Sequence, residues 1–140
     1  MRDLGLHARI LCGRTALRLG DIAGGAADLA KAAEARRAGS VYLRVQAWLA
    51  TALLRQEQGN RPGAVSAART GIATADRYGA ALGALEARAG VSAHAAELAT
   101  LGLRLALDGS RARAIFEWME KSRARALDFP SVVPPEDAEL

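Results

Sequence analysis

A helix, turn, helix pattern with a glycine at each turn recurs along this 140-residue chain: Leu19-Gly20-Asp21, Gln58-Gly59-Asn60 and Leu107-Asp108-Gly109-Ser110. Repetition at this scale is the mark of stacked helical hairpins, because a lone hairpin leaves an apolar face open that only a neighbouring hairpin can cover. Gly20, Gly59 and Gly109 stand 39 and then 50 positions apart. Helical-hairpin units usually run roughly 34 to 47 residues, so the third unit is expected to carry an extended first helix. Alanine dominates the 51% of residues that are hydrophobic and only 4% are aromatic. Burial must therefore come from helices that approach closely on small side chains, and alanine is the best helix former. The expectation is an all-α chain of antiparallel hairpins, with units at about 4–39, 40–79 and 80–127.

The apolar period fills in the helices. Leu6, Ile10, Gly13 and Leu17 share one face of the first. Asp21 is placed to cap the second, where Ile22, Ala26, Leu29 and Ala33 mark the buried stripe, and Arg36, Arg37 and Gly39 end it. Ser40 caps a third helix carrying Val41, Val45, Trp48, Leu49, Ala52 and Leu53. Asn60 caps a fourth, with Pro62 in its first turn and Val65, Ala68, Ile72 and Ala75 inward, closed by Gly79. From Ala80 to Leu107 the pattern predicts one long helix with Leu82, Leu85, Ala89, Ala96, Leu103 and Leu107 inward. Gly90 and Gly102 then mark either a kink or the close approach of a neighbouring backbone. Ser110 is expected to cap the last helix, with Ile115, Met119, Ser122 and Ala126 on one face and Trp118 beside them. The pair Glu117 and Lys121 has the i,i+4 order that supports a helix. At Asp128 the composition turns proline-rich and acidic, and 128–140 reads as a linker or tail.

Catalytic and metal chemistry find little purchase. Cys12, His7 and His94 lack the context of a cysteine nucleophile, and Cys12 is expected to pack against the partner helix. One cysteine and two distant histidines do not supply zinc-ligand spacing, so no metal and no cofactor is expected. The run from Gly20 to Gly25 follows a helix rather than a strand and lacks the lysine of a phosphate loop. No enzymatic constellation emerges. Arginines interrupt every apolar stretch, which argues against a membrane span, and a single cysteine without a leader-like start points to the cytoplasm.

The net charge of +4 is spread along helices and interleaved with acids, as on a solvated face. Its strongest bias is Arg111, Arg113, Lys121, Arg123 and Arg125 in the last helix. This admits a DNA-binding helix-turn-helix as the alternative function. The burial expected of Ile115, Trp118 and Met119 works against that reading, so nucleic acid is not the expected partner.

With the turns aligned, the units resemble tetratricopeptide repeats. Trp48 takes the early Trp place in the second unit. Leu101-Gly102 and Cys12-Gly13 take the Leu-Gly place in the third and first, where the second has Thr51-Ala52. The small second-helix residues are Gly25, Ala64 and Ala114. The stretches 95–107, 116–127 and 133–140 are also similar to the repeat region of actinobacterial CHAT proteins, which precedes a caspase-like cysteine peptidase domain. That resemblance implies an interaction arm whose His and Cys lie beyond Leu140; a free-standing adaptor is the other reading. The tetratricopeptide resemblance implies a right-handed solenoid whose concave face, built from first helices, takes a protein or peptide. It makes His7, Ile10, Arg14, Gln46, Leu49, Leu53, Ala99 and Leu103 the exposed contact candidates. An Ala-rich end helix also allows pairing with a second copy.

Overall fold

The computed structural model describes residues 2–79, 81 and 85–127; the expected tail and Leu82 lie outside them. The described chain is helical: α1 (Arg2–Arg18), α2 (Ile22–Ala33) with a 3₁₀ turn over Glu34–Arg37, α3 (Val41–Glu57), α4 (Arg61–Gly79), α5 (Leu85–Asp108) and α6 (Ala112–Leu127). Three of the four expected caps form. Asp21 Oδ1 accepts from the Gly24 amide at 2.9 Å, Ser40 Oγ from Leu43 at 3.3 Å and Asn60 Oδ1 from Gly63 at 2.9 Å. Each satisfies one of the orphan amides at a helix start. At the end of α2, the Arg36 guanidinium donates to the Ala33 carbonyl at 2.8 Å.

The packing has two layers. The first helices α1, α3 and α5 touch in sequence. Among the described residues the second helices bring their backbones close to first helices and not to one another: α2 to α1 and α3, α4 to α3 and α5, α6 to α5. Most of the core is one cluster among α3, α4, α5 and α6, built on Val45, Leu49, Ala68, Ile72, Leu98, Leu101 and Trp118. A smaller one joins α1 and α2 to the other side of α3 through Ile10, Leu29, Ala32, Ala33 and Ala50. Helix α3 thus serves both clusters, and Leu53 packs against each.

Several inward stripes differ from expectation. Ile22 is 51% exposed, its place in the α1–α2 contact taken by Gly25 and Leu29. Cys12 is exposed rather than packed; its neighbour Gly13 faces α2, against Leu29 and Gly25. The phase of α5 is also different. Ala89 and Leu107 face outward, Ala96 and Leu103 are half-buried, and the buried stripe is Val91, Ala95, Leu98, Leu101, Gly102 and Leu105. On α6 the inward residue is Trp118, flanked by half-buried Ala114 and Ile115, while Met119 and Ala126 are exposed. Glu117 reaches Arg69 of α4 at 3.1 Å rather than pairing with Lys121.

Helix α5 runs unbroken through Gly90 and Gly102. What comes closest to each glycine is an aromatic ring rather than a neighbouring backbone. A Cβ on Gly90 would lie 2.6 Å from the Tyr42 ring, and one on Gly102 would overlap the six-membered ring of Trp118. Trp118 is fully buried in the notch that Gly102 leaves.

The third turn is out of register with the first two. Gly20 and Gly59 hold the left-handed conformation after their helices, at φ 88° and 71°, and the equivalent residue of the third turn is Ser110 at φ 53°, one position beyond Gly109. Ser110 therefore does not cap α6. Arg111 stands in the cap position, its carbonyl accepting from Ile115 at 3.0 Å as Asp21 and Asn60 accept from Gly25 and Ala64. The close-packed small residue of the first two hairpins becomes Ile115 in the third.

Candidate functional site

The exposed side of the first-helix layer holds a groove of about 270 Å³ that crosses α1, α3 and α5. Leu49, Leu53 and Leu101 form its floor, Ala93, Ala96 and Thr100 its α5 wall, and Arg14, Glu97 and Arg104 its charged rim. Residues 93, 97, 100 and 104 follow a helical period, which is why they share a face of α5. Arg14 Nη1 bridges the groove to Glu97 Oε1 at 3.2 Å, tying the first hairpin to the third.

Beside the groove lies a polar cluster from the same three helices. Buried His94 has its Nε2 2.9 Å from Nε2 of Gln46, which has no exposed surface. An amide nitrogen only donates, so His94 Nε2 accepts and the ring proton falls on Nδ1. Nδ1 points toward Glu97 Oε2, 3.6 Å away. The rings of His7 and Tyr42 flank His94 with centroids at 5.8 and 5.4 Å. Gln46 Oε1 and His94 Nδ1 are buried without a protein hydrogen-bond partner. Glu97 is held below the ordinary carboxylate value of 4.5, first by His94 and then by Arg14, against partial desolvation. The arrangement is a polar, rigid patch at the head of an apolar trough. Among the described residues no group of three or more His, Cys, Asp or Glu side chains is gathered to hold a metal.

The candidate contact residues separate by position. Arg14, Leu53 and part of Leu49 line the groove, and His7 is exposed above His94. Four are not exposed as expected. Ile10 and Leu49 retain 2% of their surface, Ala99 lies in the larger core, and Gln46 faces His94. Gln46 and Leu49 lie where α3 meets α5, Ile10 is taken up by the smaller core with α2 and α3, and Ala99 by the larger core. Leu103 is half-buried against the larger core rather than in the groove. Glu97, Thr100, Arg104, Tyr42 and His94 were not singled out as contact residues, although the spacing of 93, 97, 100 and 104 signals a common face.

The basic last helix is partly neutralised in place. Arg125 pairs with Asp76, Arg123 lies 4.0 Å from Glu120, and Trp118 is packed against α5. No described helix is long and apolar enough to cross a membrane. Comparison with protein-family models, curated proteins and solved structures finds no match to this chain.

Proposed function

We propose that this chain is a protein-interaction scaffold of tetratricopeptide-like hairpins, stacked as a short right-handed solenoid, that takes a peptide on the first-helix layer. The observation that carries this reading is the groove itself: one apolar trough with a rim of both charge signs, assembled from the first helix of all three units. An amphipathic helix or extended segment that lays apolar side chains on Leu53, Ala93 and Ala96, above the buried Leu49 and Leu101, fits such a trough. The resemblance of 95–107, 116–127 and 133–140 to CHAT repeat regions supports a role as the recognition or regulatory arm of a caspase-like peptidase whose catalytic domain lies outside these 140 residues.

A photo-crosslinking amino acid in place of exposed Thr100 tests the groove. Adducts with one protein or peptide, lost when Leu53→Gln and Arg104→Glu are introduced, are expected; equal adducts from the same probe at Ala30 on α2 overturn the reading. Leu49→Asp is no test of binding, because a carboxylate at a fully packed position unfolds the chain. The reading frame past Leu140 tests the peptidase assignment. A downstream domain with a spaced His and Cys is expected, and an immediate stop leaves a free-standing adaptor. Tight, salt-sensitive DNA binding would revive the helix-turn-helix alternative. Exposed Phe116 and Met119 on the end helix favour self-association as a second reading; sedimentation of Phe116→Glu against the parent chain decides it.

A further inference from the structure

On the other side of the molecule, α4 and α6 both rest on α5 without their backbones meeting. The gap between them is a cleft of about 650 Å³. Its floor is apolar, made by Val65, Leu105, Ala106 and Trp118, and its rim carries Arg61, Arg69 and Arg111. No carboxylate lines it. Arg61 is fixed in place by donating to the Leu105 carbonyl at the end of α5. Arg69 is held over Trp118, 5.7 Å from the ring centroid, by its ion pair with Glu117. Arg111 is exposed and, among the described residues, has no ion-pair or hydrogen-bond partner for its side chain.

The register of the third turn explains why positive charge collects here. The three other capped helices begin with Asp21, Ser40 or Asn60, each giving an oxygen to its own first turn. Helix α6 has Arg111 in that place, a side chain with donors only. Its first-turn amides and its helix dipole therefore add to the field of the three guanidiniums instead of being answered from within. A cleft of this size, with an apolar floor and a rim on which Arg69 is paired with Glu117 while Arg61 and Arg111 have no carboxylate partner among the described residues, suits a ligand that is anionic at one edge and apolar at its centre.

We propose that the α4–α6 cleft is a second docking site, separate from the first-helix groove, for an acidic peptide segment with a large apolar side chain beside its carboxylates. The carboxylates meet Arg111 and Arg61, and the apolar side chain lies on Pro62, Val65 and Ala114, beside the buried ring of Trp118. A nucleic-acid backbone matches the charge but offers nothing to the floor.

The experiment uses the full chain with Trp48→Phe, so that Trp118 is the sole indole, and a short fluorescein-labelled glutamate peptide with a central leucine-phenylalanine pair. Saturable binding by anisotropy, with a change in Trp118 emission, is expected. Arg111→Glu should weaken it by about ten-fold or more, the loss of one charge-assisted contact and its reversal. Replacing leucine and phenylalanine by serine should weaken it comparably, and Arg14→Glu on the opposite face should leave it unchanged. Arg111 is exposed, so its variant keeps the helical circular dichroism. No binding, binding indifferent to Arg111→Glu, equal binding of the lysine version of the peptide, or tighter binding of duplex DNA than of the peptide overturns the proposal.

Discussion

Gly102→Ala is normally a stabilising change within a helix, worth about 1 kcal/mol in backbone propensity. Here the added methyl would occupy the space of the Trp118 ring, whose Cζ3, Cε3 and Cη2 atoms stand where a Gly102 Cβ would be, and Trp118 has 1% of its surface free to retreat into. Overpacking a closed site costs about 1 to 3 kcal/mol. The net expectation is therefore a loss of up to about 2 kcal/mol in place of a gain. The separation of the two effects comes from a double-mutant cycle with Trp118→Leu. With the ring gone the methyl has room, Gly102→Ala recovers its propensity gain, and the coupling between the two positions reaches about 1 to 3 kcal/mol. Urea unfolding followed at the helical circular-dichroism band measures all four corners. Gly5→Ala is the control, since a Cβ at Gly5 meets nothing within 4 Å and should show the propensity gain alone. If Gly102→Ala stabilises the parent chain as Gly5→Ala does, or if the cycle is additive to within about 0.5 kcal/mol, the notch-and-ring account of the α5–α6 contact is wrong.

Other outcomes follow from the same contacts. Ser110 holds φ 53°, a conformation that glycine adopts without strain; Ser110→Gly should raise the unfolding free energy by about 0.5 to 1 kcal/mol in the same urea assay, while Gly109→Ala in an adjacent position should not. Glu97 has its protonation pushed below 4.5 in the folded chain by His94 and Arg14. Its contribution to stability is present above that pH and is lost as the pH falls through the lowered value. Thermal unfolding of Glu97→Gln should accordingly lose less between neutral and strongly acidic pH than the parent, and a parallel pair of profiles would refute the assignment. The first hairpin is held by the smaller cluster on Ile10, Leu29, Ala32 and Ala33. Amide exchange should be fastest in α1 and α2 and slowest at Val45, Leu98 and their neighbours in the larger core.

The hairpins up to Gly79 were legible because each carries a local device that works without its neighbours. Asp21, Ser40 and Asn60 are oxygen-bearing caps just beyond a glycine or extended residue, and Leu29, Val45 and Ile72 stand out against polar positions. Helix α5 offered no such contrast. Leu98, Leu101, Leu103, Leu105 and Leu107 are apolar around the whole circumference, so several phases satisfy the periodicity. The burial of Leu98 and the exposure of Leu107 are decided by Trp118, Tyr42 and α4, which are distant in sequence. The third turn misled for a related reason: Gly109 has the right chemistry for the left-handed position, yet α5 runs one residue longer and hands that position to Ser110. For the candidate contacts, choosing first-helix residues found the correct layer but not its free side. Whether Gln46 faces solvent or His94 depends on how closely α3 and α5 approach, and Gly90, which receives Tyr42, was the one local sign that they do.

The separation of α4 from α6 has a mechanical meaning. The first-helix layer is joined by packed apolar side chains, which resist being pulled apart. The outer helices are joined across their gap by Arg69 with Glu117 and Arg125 with Asp76. The first pair is exposed on both sides, contributes about 0 to 1 kcal/mol and weakens as salt screens it, whereas the Arg125 side chain of the second is largely buried. Apolar packing, through Trp118 and the α4 residues of the same cluster, and exposed charge thus share the α4–α6 seam, and only the charge responds to salt. At high ionic strength the contact that weakens first is Arg69 with Glu117, and with it the charge that holds the Arg69 guanidinium over the mouth of the cleft.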